Sequence, residues 1–104
     1  MAETQALRDL LAAVEAGEWW DNLHRPDYLH TDLCWKAFQG SLDAAKALHD
    51  AVLPGWDIQI TTYEDDNFEA SVSKPLEVKT YDGVSPWMAR AWLLAALKAY
   101  RAGL

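Results

Sequence analysis

The sequence predicts an α+β fold: two N-terminal helices, a three-stranded antiparallel sheet, and a long apolar C-terminal helix packed on that sheet. Three observations carry this expectation. Apolar residues recur at helical spacing before Gly17 and again after Gly40. Apolar and polar residues alternate from Trp56 to Thr61 and from Phe68 to Ser73, the period of a half-buried strand. From Pro86 to Leu97 a single basic residue, Arg90, interrupts an otherwise apolar run without acids.

The first helix is expected from about Thr4 to Ala16. Leu7, Leu10, Leu11 and Val14 form its stripe, and Gly17 ends it. Arg25-Pro26-Asp27 then reads as a turn, because proline is excluded from a helix interior. Thr31-Asp32 can cap a short helical stretch through Phe38, which Gly40 breaks. Ser41 caps the second main helix, Leu42 to about Leu53, with Leu42, Ala45, Leu48 and Val52 inward. Pro54 and Gly55 stop that helix and lead Trp56 into a strand.

In the sheet, Ile58 and Ile60 share a face, as do Phe68, Ala70 and Val72. Facing residues of an antiparallel pair must point the same way, which selects Ile60 opposite Ala70 and Ile58 opposite Val72. That register leaves an odd-numbered loop around Glu64–Asp66. "LEVKTY" is expected as the third strand, with Leu76 and Val78 inward and Glu77 and Lys79 outward. Pro75 marks an edge, a bulge or a turn before it. For the last helix, Ser85 caps, Pro86 fits the first turn and Gly103 closes. Arg90, Lys98 and Arg101 occupy one narrow stripe. Trp87, Met88, Ala91, Trp92, Leu93, Leu94, Leu97 and Tyr100 cover the rest, so either the earlier helices or a second copy must enclose it.

At 104 residues the chain is expected to form one domain, residues 1–104. Sixteen acids against nine bases give a net charge of −7, which argues against direct binding of a nucleic-acid backbone. The charges are uneven: five acids and no base lie between Asp57 and Glu69, and bases alone follow Ser85. This polarity tunes solubility or sets head-to-tail contacts between copies. One cysteine suits a reducing compartment. The first twenty residues make a poor signal peptide, and no run of 18 apolar residues is present, so no membrane partner is expected.

"SLDAAKAL" followed by "LPGW", and "SPWMARAWLLAALKAY" near the end, carry a family resemblance. Ser41, Leu42, Asp43, Ala44, Ala45, Pro54, Gly55, Trp56 and the stretch from Pro86 to Leu97 fall on its pattern. Over about residues 38–102 the chain resembles a small bacteriophage-associated domain family described as an α/β/α ("ABA") sandwich, a family without an established activity. The resemblance implies a phage or prophage setting, cytoplasmic in a bacterial host or virion-associated. It transfers no catalytic residue. The strands' polar face (Asp57, Gln59, Thr61, Glu69, Ser71, Glu77, Lys79) by itself suggests two layers instead, with that face wet or lightly covered.

The segment from Glu18 to Trp35 concentrates donors. His24, His30 and Cys34, with His49 or Asp32 as a fourth, are groups zinc accepts, but their spacing matches no compact zinc module. Cys34 as a nucleophile needs a paired base, and only His30 is near in sequence; beside Trp35 it reads as a small apolar filler. "YEDDN" clusters three carboxylates without the glycine and terminal glutamate of a calcium loop, as hairpin tips do. Five scattered glycines build no phosphate loop. Asp43 complements a helix dipole. No residue is therefore assigned a catalytic, cofactor or metal role.

Trp19, Trp20, Tyr28 and Trp35 either clamp an irregular segment onto the helices or meet another chain. Trp19, Trp20, Trp35, Trp87, Trp92 and Tyr100 are the interface candidates. The expected function is a non-enzymatic accessory role exercised by protein–protein contact, with self-association into a homo-oligomer. The alternatives are an acidic DNA mimic that inhibits a host nucleic-acid enzyme, and a small metal or thiol enzyme built on His24, His30 and Cys34.

Overall fold

A computed structural model describes residues 2–16 and 31–102 of the protein, with side chains from Arg8 and from Leu33 onward. Gly17 and Gly103, assigned as helix ends, lie outside these residues. The order is α1 (Ala2–Glu15), α2 (Thr31–Phe38), α3 (Leu42–Val52), β1 (Asp57–Thr62), β2 (Phe68–Ser73), β3 (Tyr81–Ser85) and α4 (Met88–Ala102). The fold is α+β, with α4 packed on the sheet. The short stretch through Phe38 stands as a helix of its own, so three helices precede the sheet.

The helix ends follow from local chemistry. Gly40 takes φ +111°, its N–H donates to Ala37 O (3.0 Å), and Ser41 N–H donates to Lys36 O (2.9 Å). This crossed pair is the Schellman closure that a glycine past the last turn permits. One residue on, Ser41 Oγ accepts from Ala44 N–H at 3.1 Å and caps α3. At its far end the Leu53–Trp56 turn closes with Trp56 N–H on Leu53 O (3.1 Å) and Gly55 at φ +82°. Proline then glycine at the two central positions is what a type II turn demands. The buried face of α3 is Ala44, Ala45, Leu48 and His49. Leu42, expected inward, is instead exposed in the first turn, and Val52 is half-buried.

The β1–β2 pairing has the expected register, Ile58 opposite Val72 and Ile60 opposite Ala70. Its tip is a three-residue loop in which Asp66 takes φ +65°, the left-handed position that ends such loops. The sheet order is β1-β2-β3, antiparallel throughout.

The third strand is a correction. It is not "LEVKTY" but Tyr81–Ser85, with Val72 opposite Tyr81, Ala70 opposite Gly83 and Phe68 opposite Ser85. The reason lies in α4. A Cβ placed on Gly83 would collide with the carbonyl oxygen of Ala91 and sit 2.6 Å from Leu94 Cβ and 2.7 Å from Ala95 N. The position opposite Ala70 thus has no room for any side chain, so Leu76 or Val78 cannot occupy it. Both lie in the connecting segment and are fully exposed, not inward.

Ser85, expected as a helix cap before Pro86, is still strand, paired with Phe68. Its Oγ accepts from Trp87 N–H at 3.2 Å, and the first helical bond runs from Ala91 N–H to Trp87 O. The helix therefore begins at Met88, and Pro86 belongs to the connection.

Of the two ways to enclose α4, the chain's own helices do so: β2 and β3 lie on one side, and α1, α2 and α3 also pack against it. Ala89, Ala91, Leu93, Ala95, Ala96, Leu97 and Ala99 are all essentially inaccessible. Leu10, Leu11 and Val14 of α1, Leu48 of α3 and Ala70 and Val72 of β2 complete the core. The opposite face of the sheet keeps Asp57, Gln59, Thr61, Asp82 and Val84 in water, with no described helix over it.

Replacing Gly83 tests this closure. Gly83→Ala is expected to cost about 1–3 kcal/mol in urea unfolding, the range for forcing a carbon into a filled core. Gly83→Val should abolish the cooperative transition.

Candidate functional site

The described donors do not assemble a reactive centre. His24 and His30 lie outside the described residues, as do the side chain of Asp32 and the rings of Trp19, Trp20 and Tyr28. Cys34 is wholly inaccessible on α2, and burial pushes its thiol up to about 12 from an ordinary 9.0. A thiol in that state is protonated at neutral pH and cannot act as the attacking thiolate. Among the described residues no group of three His, Cys, Asp or Glu side chains is placed to hold a metal ion.

His49 serves structure. Trp92 Nε1–H donates to His49 Nδ1 at 3.1 Å, and the indole nitrogen can only donate. The ring proton therefore sits on Nε2, which donates to Trp56 O at 2.9 Å. One buried imidazole ties α4, α3 and the entry to β1 together, with both nitrogens satisfied. Trp92, an interface candidate from sequence, is thereby a core residue with 9% of its surface accessible.

Arg90 does comparable work at the other joint. Its Nε and Nη2 donate to Phe38 O at 3.1 and 2.9 Å, satisfying a carbonyl left open at the end of α2. The guanidinium lies 3.8 Å from the Phe38 ring centre and 4.3 Å from that of Trp87. Partial burial lowers it from its ordinary value, but arginine stays charged. Trp35 stacks on Phe38 at 6.2 Å and is half-buried, as is Tyr100. Trp87 remains 53% exposed, the most open of the four candidates that lie among the described residues.

The acidic tip is accounted for by turn bonding. Tyr63 N–H donates to Asn67 O (2.9 Å), Asp66 N–H to Tyr63 O (3.2 Å), and Asn67 N–H to Asp65 Oδ1 (3.3 Å). The last is the local bond for which aspartate is favoured in turns.

The feature that periodicity misplaced lies at the opposite end of the sheet. After β2, Glu77 N–H donates to Lys74 O (3.2 Å) and Leu76 takes φ +67°, a rare conformation for a branched side chain. The segment that follows runs without helix or strand to Tyr81, and Leu76 and Val78 stand fully in water. Beneath it is a cleft of about 120 Å³ bounded by Trp56, Tyr81, Lys74, Lys79, Glu77 and the last turns of α4. Lys74 Nζ lies 5.6 Å over the Trp56 ring and Lys79 Nζ 5.3 Å over that of Tyr81. Glu77 and Lys79 line this cleft, while Leu76 and Val78, which alternate with them, do not and stand in solvent. The turn signal Lys74-Pro75 was the only warning in the sequence.

No family model, curated protein or solved structure matches the chain.

Two outcomes check these assignments. The raised Cys34 thiol stabilises the fold fully below pH 9, and that contribution is lost as pH climbs from 9 toward 12, because the unfolded chain ionises first. The stability difference between wild type and Cys34→Ala should shrink over that window by on the order of 4 kcal/mol in total. For the imidazole bridge, His49→Ala leaves the buried Trp92 Nε1–H and the partly buried Trp56 carbonyl without this partner and should cost about 2–4 kcal/mol in urea unfolding.

Proposed function

We propose that this is a non-enzymatic accessory protein that acts by protein–protein contact and associates with itself. The observation that carries the reading is the complete exposure of Leu76 and Val78 on one short segment. Scattered surface aliphatics are ordinary, but two fully exposed ones a single residue apart on one unpaired segment favour a contact site. The locked state of Cys34 and the structural engagement of His49 support the non-enzymatic part. The setting, phage or prophage within a bacterial cytoplasm or on a virion, rests on the family resemblance alone.

A DNA-mimicking inhibitor is the second reading. In its favour, Asp57, Glu69 and Asp82 come from three strands onto the outer sheet face. It ranks lower because Gln59, Thr61, Ser71, Ser73 and Val84 separate them with neutral groups. Displacement of duplex DNA from a basic DNA-binding protein, abolished by salt, is what it requires.

Light scattering of the full chain against concentration tests the first reading. The mass should rise above the 11.7 kDa of one chain. A constant monomer mass up to about 1 mM, a limit at which even weak pairing shows, would end the self-association claim.

A further inference from the structure

We infer that the segment from Leu76 to Thr80 is an unpaired strand whose partner is the same segment of a second copy, joined antiparallel about a two-fold axis at Val78. The inference deepens the self-association reading and rests on it.

The residues of this segment follow a strand pattern, with Leu76 and Val78 alternating with Glu77 and Lys79, yet no described strand pairs with it. Its apolar members are fully exposed. No backbone hydrogen bond joins Val78 or Lys79 to another described residue. Glu77 and Lys79 make no ion pair among the described residues either. The segment leads directly into β3, an edge strand of the sheet. Further along β3, Lys98 Nζ donates to Asp82 O at 2.9 Å and blunts that edge, which leaves the stretch before Tyr81 as the open part.

The charge order identifies the occupant. In an antiparallel pair centred on Val78, Val78 faces the partner's Val78, and Glu77 faces the partner's Lys79. By symmetry Lys79 faces the partner's Glu77. Beyond them Leu76 meets the partner's Thr80, and at the margins Lys74 falls opposite the partner's Asp82. Every charge on this stretch meets its opposite, and a two-fold interface requires such self-complementarity. A chance partner would have to match the same order from outside. Leu76 would leave its left-handed conformation for the extended one as it pairs. A contact this short is below the size of stable interfaces, so the dimer is weak and concentration-dependent.

Charge reversal tests the register, with the substituted side chains on an exposed segment and folding checked by circular dichroism. In E77K, lysine faces lysine across the axis, and in K79E, glutamate faces glutamate. Each variant alone should associate about tenfold or more weakly than wild type. Their equimolar mixture should recover association, because every pair is again of opposite sign. If wild type associates and both variants match it, the two-fold pairing at Val78 is wrong while self-association stands. If the variants are weakened and the mixture does not recover, the register is likewise overturned. A wild type that stays monomeric throughout ends both readings.

Discussion

The approach of α4 to β3 at Gly83 is the constraint from which the rest of the structure follows. Backbone meets backbone there, at Ala91 O and Ala95 N, with the Cβ of Leu94 beside them. Contact at that distance is possible only where one partner lacks a Cβ and the other is a small residue. It selects the strand that pairs with β2, since only a segment with glycine opposite Ala70 fits. It also displaces Leu76 and Val78 from the core, because their segment loses its place in the sheet. Elsewhere along the same helix, larger side chains such as Trp92 reach the other helices.

Two polar joints hold the helices to this frame. His49 fills a gap between Trp92 and Trp56 that an apolar side chain would leave with two unsatisfied groups. Arg90 closes the end of α2 while lying between two rings. Both joints link residues far apart in sequence, and both use donors with fixed planar geometry. They therefore specify orientation where aliphatic packing alone would tolerate sliding.

Much of this was legible from residue order because it is local. The parity of alternation decided Ile60 opposite Ala70, and Gly40-Ser41 declared one helix end and the next beginning. What was not legible depends on distant partners. Arg90 and Phe38 are 52 positions apart, and Trp92 and His49 are 43 apart. No periodicity marks either pair. The third strand was misplaced because alternation reports that a segment can be a strand, not whether space exists for it. Leu76 and Val78 satisfied the pattern better than Tyr81–Ser85 does, yet the glycine that weakens the latter as a strand is what admits the helix. Of the exposed apolar residues, Trp87 was visible from its bulk, whereas Leu76 and Val78 had been assigned to the interior.

The position of α4 in the chain has a consequence for biosynthesis. The helix on which the sheet and the earlier helices all pack is the last described element to leave the ribosome. The faces of α1, α2, α3, β2 and β3 that pack on it have no partner until it is made. Closure of the core therefore requires that single helix. A nascent chain halted before Met88 leaves Leu10, Val14, Leu48, Ala70 and Val72 without the helix that covers them, a ready target for a chaperone at the exit.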